Sequence, residues 1–261
     1  MLKKRLIPVL FIKNGMIVRS EGFSEHKIIG NVVNEVRRYN EWDIDELVYI
    51  DISRDNKFDS GRDDHKIRRV TSVLDVLKLA SVECFMPLTF GGGIRDYDTI
   101  AEYLRHGADK VVVNTMCFEN PEIVKRAVKT FGSQAVVFCL DYRVKTGEVY
   151  FYTNNGTVCQ SHNVDNIINL ISELGCGELF LNSIDKDGSA EGYDIDVIRK
   201  ISRMVEIPVV ACGGASGIYD FEELAGIDSV SGIAAGNMFH FTENAYPRAK
   251  KILKNKGYNF R

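Results

Sequence analysis

The amino-acid sequence predicts an α/β protein, a single (β/α)₈ TIM barrel with a two-fold half-barrel repeat. Two observations lead to this prediction: short apolar strands alternate with amphipathic helices along the whole chain, and motifs of the first half recur in order in the second. The 261 residues suit one such barrel, which takes about 250 residues. We therefore expect one domain over residues 1–261, with half-barrels at approximately 1–125 and 126–261.

Eight apolar runs have the length and composition of buried strands. The predicted strands are Arg5–Ile12, Glu46–Ile52, Phe85–Phe90, Lys110–Asn114, Gln134–Asp141, Glu178–Ser183, Pro208–Cys212 and Ser231–Ala235. Amphipathic stretches predict helices near residues 31–40, 68–82, 96–106, 121–131, 163–174, 194–204, 218–225 and 242–255. This alternation is typical of parallel βα units. An open doubly wound sheet is the alternative, but its G-x-G-x-x-G motif is absent after the first strand.

A weak internal repeat favours the closed barrel over the open sheet. Three segments of the first half, Asp45–Asp55, Pro87–Gly93 and Asn114–Met116, resemble Gly177–Asp187, Pro208–Gly214 and Gly236–Met238 in the second half. The offsets of 132, 121 and 122 residues are about half the chain. Chance similarity among apolar strands is the alternative, and three matches in the same order disfavour it.

Composition and charge exclude several classes of protein. A net charge of −3 gives no indication of nucleic-acid binding. The sequence contains neither an apolar stretch of about 20 residues nor the pattern of a signal peptide. The six cysteines form no Cys-x-x-Cys pair, so we interpret them as buried free thiols of a cytoplasmic protein. We expect no cofactor, no metal, no nucleic-acid partner and no membrane association.

Glycine and polar residues follow four of the predicted strands in two similar sets. The first cradle is Gly92, Gly93, Asn114 and Thr115, and the second cradle is Gly213, Gly214, Gly236 and Asn237. Paired glycines let the backbone approach an anion and supply N–H donors. A single Gly-Gly pair is more often only a turn, but the duplication indicates phosphate binding. Two cradles at one barrel mouth predict a small phosphorylated ligand with a phosphate at each end.

Many motifs resemble those of the HisF-type cyclase subunit of imidazole glycerol phosphate synthase, over nearly the whole chain. They are Lys4-Arg5, Lys13 and Gly15, Asp45-Glu46-Leu47, Gly91-Gly92-Gly93-Ile94, Gly107-Ala108-Asp109-Lys110, Phe131 through Val137, Ser183 through Gly188, Gly192-Tyr193-Asp194, Gly213-Gly214-Ala215 and Phe239-His240-Phe241. The resemblance implies a barrel that takes ammonia from a separate HisH-type glutaminase. The ammonia then serves to split and cyclise a bisphosphorylated, nucleotide-like substrate.

The resemblance also assigns catalytic positions, and the chain departs from it at one of them. The family uses two aspartates as acid and base; Asp141 occupies the fifth-strand position, but Phe11 occupies the first-strand position. Phenylalanine transfers no proton, so cyclase activity of this chain is in question. The resemblance implies a further catalytic role for Asp187 and phosphate binding for Gly188. We expect Phe11 to raise the pKa of Asp141 if the two side chains are close.

Smaller departures accompany Phe11. Arg19 replaces a lysine of the first loop, Asn182 a hydroxyl residue of strand six, and Cys212 a serine of strand seven. We interpret residues 14–30 as a long loop that closes over the mouth as a mobile lid. The charged segment 54–69 is either a solvated loop or an element that reshapes the mouth.

The opposite end of the barrel keeps the family pattern. Four charged residues, Arg5, Glu46, Lys110 and Glu178, stand at or near the starts of strands one, two, four and six. Inward residues from alternate strands form one layer of such a barrel, so Glu46, Lys110 and Glu178 should share a layer. With Arg5 beside them, the four are predicted to form a charged ring. A structural salt-bridge plug is one interpretation of the ring. The resemblance implies instead an ammonia gate, with Asp109 at the glutaminase docking face.

Three functions remain open at this point. The combination of residues resembles a divergent branch, the glycosyl amidation-associated (WbuZ-like) HisF paralogues of surface-polysaccharide loci. There a HisF-like barrel and its glutaminase are thought to supply ammonia to a third, ATP-dependent sugar amidotransferase that turns an acetamido sugar into an acetamidino sugar. We favour this function. The alternatives are the imidazole glycerol phosphate synthase cyclase of histidine biosynthesis and a non-catalytic phosphosugar-binding barrel.

Overall fold

Eight parallel strands form a closed barrel with helices around it, which is the (β/α)₈ TIM barrel that the sequence predicts. The structure is a computed structural model, and it describes residues 3–54, 58, 70–241 and 244–261. Its strands are β1 (Arg5–Lys13), β2 (Met16–Glu21), β3 (Glu25–Gly30), β4 (Leu47–Asp51), β5 (Leu88–Gly91), β6 (Lys110–Val113), β7 (Val136–Lys145), β8 (Glu148–Thr153), β9 (Val158–Cys159), β10 (Glu178–Ser183), β11 (Val209–Cys212) and β12 (Val230–Ala235). The barrel runs β1, β4, β5, β6, β7, β10, β11, β12 and closes where β12 pairs with β1.

The helices lie between successive barrel strands, as the alternation predicts. They are α1 (Val32–Glu41), α2 (Val73–Glu83), α3 (Tyr97–Arg105), α4 (Thr115–Glu119), α5 (Pro121–Phe131), α6 (Val164–Leu174), α7 (Ile195–Met204), α8 (Ile218–Ala225), α9 (Met238–Phe241) and α10 (Ala245–Asn255). Several begin at polar caps, as where the Ser72 side chain accepts from the Asp75 backbone N–H at the start of α2. No helix of the described ranges is long and apolar enough to cross a membrane.

The barrel strands are buried on both faces because one face packs against the helices and the other fills the barrel interior. In β1, eight of the nine residues are buried. Ile7, Val9 and Phe11 join an inner apolar cluster, whereas Leu6 and Leu10 join the outer core beneath the helices. This period-2 alternation distinguishes the inward from the outward side chains of β1. It also explains why near-continuous apolar runs gave a reliable prediction of the strands.

Two hairpins that the sequence interpretation missed extend the barrel at its C-terminal face, the mouth. β1 continues through an antiparallel turn into β2 and β3, and β7 continues into β8 and β9. Two-residue turns join the first two strands of each hairpin, and both have positive φ: Asn14-Gly15 at 53° and 83°, and Thr146-Gly147 at 50° and 82°. Asn-Gly is a strong signal for such a turn. The prediction of a loop over residues 14–30 is therefore wrong, because these residues form strands.

Other boundaries shift by a few residues. The third barrel strand begins at Leu88 rather than at Phe85, and Phe85 is exposed. Short helices α4 and α9, which the sequence interpretation missed, follow the fourth and eighth barrel strands. Of the charged segment 54–69, all residues except Arg54 and Phe58 lie outside the described residues.

Candidate functional site

Four charged side chains form a closed ring at the N-terminal end of the barrel. The Arg5 guanidinium contacts a carboxylate oxygen of Glu46 at 2.5 Å and also pairs with Glu178. The Lys110 ammonium lies 2.8 Å from the other oxygen of each carboxylate. Each carboxylate thus contacts both cations, and the four side chains are largely buried. The structure brings together all four residues of the predicted ring.

The ring is also held from the neighbouring strand and is electrostatically balanced. The Thr89 hydroxyl on β5 donates to Glu46 at 2.8 Å. Burial alone would raise the pKa of Glu46, but the charges of Lys110 and Arg5 hold it below its usual value. Asp109 is exposed at the same end, and its carboxylate accepts a hydrogen bond from the Leu88 N–H at 2.8 Å. This contact fixes the start of β5 next to the ring.

An apolar interior separates the ring from the mouth. Its buried members come from seven of the barrel strands and from β2: Ile7, Val9, Phe11, Val18, Val48, Val112, Val137, Cys139, Phe180, Val210, Cys212 and Ala234. Such an interior is unfavourable for an unpaired ion, because burying a charge without a partner is costly.

The strand alternation places Phe11 and Asp141 on the inward faces of β1 and β7. Phe11 follows Ile7 and Val9 on the inward face of β1, and Asp141 follows Cys139 on that of β7. Phe11 lies beside Gly236, where an added methyl group would contact its ring at 3.7 Å. The aromatic ring therefore occupies the inward position of strand one, across the barrel from the remaining aspartate.

Asp141 is buried, and two amides hold its carboxylate. Oδ2 accepts from the Asn114 amide at 2.7 Å, and Oδ1 accepts from the Asn182 amide at 3.0 Å. The Cys139 thiol also donates to Oδ1, at 3.5 Å. Burial raises the pKa of Asp141 to about 6, while these hydrogen bonds oppose the shift. A carboxylate with this pKa can act as either acid or base near neutral pH.

Asp187 lies on the loop after β10 and joins it to the first hairpin. Its Oδ2 accepts from the Ser20 hydroxyl at 2.6 Å and from the Phe23 N–H at 3.3 Å, and its carbonyl accepts from the Gly22 N–H at 2.9 Å. Burial raises the pKa of Asp187, and the bonds from Ser20 and Phe23 oppose this shift. The β2–β3 turn is thereby held over the mouth in this structure. Movement of the hairpin on ligand binding remains a prediction.

The second cradle lines a cavity of about 290 Å³ at the mouth. The lining residues are Phe11, Arg19, Asp187, Gly188, Ala190, Cys212, Gly213, Gly214, Ala215, Ser216, Ala235, Gly236, Asn237 and Met238. All four residues of the second cradle are therefore brought together with Gly188 and Asp187. The cavity is thus lined by glycine backbone, by the Arg19 side chain and by the apolar side chain of Phe11.

The glycines of this cavity are required by close backbone contacts. Gly213 and Gly214 have φ of 97° and 110°, which favour glycine. A Cβ at Gly214 would overlap the carbonyl oxygen of Gly192, and one at Gly188 would overlap that of Ser20. The backbone path that forms the cavity therefore depends on these positions being glycine.

The first cradle is built differently. A Cβ at Gly92 would overlap the carbonyl oxygen of Asp51, whereas one at Gly93 would meet no atom within 4 Å. Asn114 turns its amide toward Asp141, and the Thr115 hydroxyl accepts from the Asn154 N–H at 3.0 Å. The side chains of Asn114 and Thr115 therefore support neighbouring groups in this structure, which leaves the backbone around Gly93 as the open part of the cradle.

We expect inorganic phosphate to bind the second cradle, and Gly214→Ala to weaken this binding at least 10-fold. The added Cβ must displace the Gly192 backbone, and the φ of 110° at Gly214 is strained for alanine. Titration followed by ³¹P NMR measures the dissociation constants. Gly217→Ala is the matched control, because Gly217 has an extended backbone and open space around it. Equal affinity of wild type and Gly214→Ala would remove the case for this phosphate site.

Sequence reasoning missed several supporting residues. Asn182 appeared only as a departure from the family pattern and Asn114 only as a phosphate ligand, yet both hold Asp141. Asp220 accepts hydrogen bonds from the Ser216 N–H and hydroxyl at 2.6 and 2.7 Å at the start of α8. The spacing of Ser216 and Asp220 is a local signal for such a turn. Within the described ranges, no group of His, Cys, Asp or Glu is arranged to hold a metal ion.

Comparisons with known proteins agree over almost the whole chain. The model of the family described as "Histidine biosynthesis protein" matches residues 5–245. A protein of Pelodictyon phaeoclathratiforme named imidazole glycerol phosphate synthase subunit HisF is 37% identical, covering 100% of both chains. A protein of the same name from Chlorobium limicola is 36% identical over 98% of both. A Vibrio vulnificus protein described as a putative subunit hisF2 of this synthase is 35% identical, over 100% of this chain and 92% of its own.

Proposed function

The chain belongs to the histidine biosynthesis protein family, and we propose on this basis that it is the HisF-type subunit of a glutamine-dependent synthase. In this proposal it holds a phosphorylated ligand at the barrel mouth. It receives ammonia at the opposite end from a HisH-type glutaminase and passes it through the barrel. No cofactor takes part.

The observation that carries the proposal is the arrangement of three features along one axis. The ring of Arg5, Glu46, Lys110 and Glu178 closes one end, the cavity with the second cradle lies at the other, and apolar side chains fill the space between. A structural plug would account for the ring alone. A route for ammonia accounts for the ring, the apolar interior and the cavity together, so we propose the ring as the ammonia gate.

Two reactions, sugar amidation and the cyclase reaction, are consistent with this role. The comparisons with known proteins change which of them is the first candidate. The residues alone favoured sugar amidation, but the relatives described above carry names of imidazole glycerol phosphate synthase subunits. Their names support the cyclase of histidine biosynthesis as the first candidate. In this candidate Asp141 acts as acid or base, the two cradles take the phosphates, and Asp187 acts beside the second cradle.

A second candidate, ammonia supply for acetamidino-sugar formation, has one specific observation in its favour. Phe11 occupies the inward position of β1 where the family pattern has its other acid–base aspartate. A barrel that only conducts ammonia needs no such carboxylate. This candidate requires a third protein, an ATP-dependent sugar amidotransferase. The barrel without ammonia transfer is the weakest proposal, because it leaves the ring as a structural plug and does not account for the apolar interior and the cavity together with it.

We expect a 1:1 complex with the HisH-type glutaminase of the same organism. Because the ring face is the proposed entrance, the partner covers Arg5, Glu46, Lys110 and Glu178, with Asp109 beside them. Co-expression with one tagged subunit, followed by light scattering, measures the stoichiometry. Absence of a complex at micromolar concentration, with and without phosphate, would contradict the partner and the ammonia route together.

A further inference from the structure

The large apolar side chains exposed on the described surface are grouped mainly at the two ends of the barrel. Ile28, Val144 and Val158 lie on the mouth hairpins, Val82, Phe85 and Met204 lie at the N-terminal face, and Tyr219 lies on α8. The hairpins explain the first group, since β3 and β9 are edges of the sheet. Nothing within the described part of the chain covers the second group.

Phe85 is the most exposed of these side chains, at 86%. It lies on the short connection between α2 and β5, and its N–H donates to the Asn40 side chain at 3.2 Å. Val82, in the last turn of α2, is 77% exposed. Of the two residues between them, Glu83 and Cys84, the first pairs with Arg37 at 2.7 Å. An aromatic side chain on an ordered connection with charged groups at its border is typical of an interface anchor.

The distance to the charged ring decides which partner covers Phe85. Thr89, which donates to Glu46 of the ring, follows Phe85 by four residues. Four residues span at most about 14 Å. A standard interface buries about 800 Å² on each partner, which corresponds to a disc of roughly 16 Å radius. An interface centred on the ring therefore reaches Phe85. Met204 ends α7 at the same face, on the opposite side of the ring.

We propose that Phe85 is the principal apolar anchor for the glutaminase subunit, inserting into an apolar pocket of that partner, with Val82 and Met204 as flanking contacts. The inference rests on the proposed function, because it takes the ring as the entrance for ammonia. It adds the residue that supplies binding affinity, since the ring itself is internally paired and offers little apolar area. Burial of a phenylalanine side chain is a strong contribution to association.

The test is titration calorimetry of the full-length chain with the HisH-type glutaminase. We expect Phe85→Ala to weaken binding by about 30-fold or more, which is the usual range for an interface anchor. Ile28→Ala is the control, because Ile28 is an exposed apolar residue on the mouth hairpin at the other end; it should bind like the wild type. Thermal unfolding of both variants should match the wild type, since both side chains are exposed.

The outcomes distinguish a failure of the Phe85 proposal from a failure of the proposed glutaminase partner. If the wild type binds and Phe85→Ala binds equally well, Phe85 is not the anchor and the proposed function stands. If the wild type does not bind, the partner is wrong and the anchor falls with it. Equal weakening by Phe85→Ala and Ile28→Ala would also overturn the proposal, because the effect would not depend on the ring face.

Discussion

Phe11→Asp is expected to raise the rate of imidazole glycerol phosphate formation by about 10²–10⁴-fold over the wild type, with ammonium salt as the nitrogen source. This is the usual contribution of one positioned acid–base group. The wild type keeps Asp141, with a pKa of about 6, but has no proton-transferring group at the inward position of β1. Its own turnover should therefore be low, although its relatives carry the name of the synthase.

The structure favours a gain of activity because the new carboxylate would face the cavity. Phe11 lines that cavity and is 7% exposed, so its position touches the space where the ligand is proposed to bind. Asp51 does not replace the missing group: Val48 and Ile50, its neighbours on β4, contribute to the inner cluster on alternate positions, so Asp51 faces the other side of the strand. Its carboxylate accepts from the Ser53 hydroxyl at 2.7 Å.

Phe11→Asn is the matched control for this experiment. It has the shape of aspartate and removes the same aromatic ring, but it cannot transfer a proton. Both variants should be compared for unfolding temperature and phosphate affinity before turnover is measured. A rate increase in Phe11→Asp alone supports a cyclase scaffold that lacks one acid–base group. An ordinary cyclase rate in the wild type would show instead that the reaction does not need a carboxylate at this position.

The eight strand–helix units of the barrel could be predicted from the sequence, because the same pattern repeats in each unit. Each barrel strand is buried on both faces, so it forms a short apolar run whose length and flanking residues distinguish it from a helix. The ring was predictable because Arg5, Glu46, Lys110 and Glu178 stand at or near the starts of their strands, and a closed barrel brings the strand starts together. The strand starts can be located from the apolar runs of a single sequence, so a contact between strand starts can be predicted from it.

The unpredicted part depended on contacts between distant segments. The bonds from Asn182 and Asn114 to Asp141 join β10 and the residue after β6 to β7, and nothing local indicates that the two amides meet one carboxylate. The hydrogen bond from the Ser20 hydroxyl to Asp187 joins residues that are 167 positions apart in the sequence. The two hairpins are different, because their turns are local: Asn14-Gly15 is a strong turn signal, and Gly147 supplies a residue that readily adopts the positive φ of the second turn.

Arg5→Met is expected to lower the free energy of unfolding by about 3–5 kcal/mol at neutral pH, as usual for breaking a buried ion pair by removing one partner. Arg5 pairs with both Glu46 and Glu178, and these carboxylates are largely buried. The variant leaves Lys110 as the one cation for two negative charges. Urea unfolding at 25 °C measures the difference.

The pH dependence distinguishes loss of charge pairing from loss of packing. The pKa of Glu46 is below its usual value in the fold, so its contribution to stability is present above about pH 4.3, its value in an unfolded chain, and is lost as the pH falls through the folded pKa. The difference in free energy of unfolding between wild type and Arg5→Met should therefore be largest near neutral pH and should decrease below about pH 4. If this difference in free energy of unfolding does not change with pH, the lost stability comes from the packing of the arginine side chain.

Removing one carboxylate together with Arg5 should restore the charge balance of the ring. In the double variant Arg5→Met, Glu178→Gln, one cation and one carboxylate remain, Lys110 and Glu46, which lie 2.8 Å apart. We expect this variant to recover much of the lost stability, because no buried charge is left without a counter-charge. Arg37→Ala, which breaks an exposed pair with Glu83, is the control and should change stability little. If Arg5→Met behaves like Arg37→Ala, or if the double variant is less stable than Arg5→Met, the ring is not a balanced electrostatic unit.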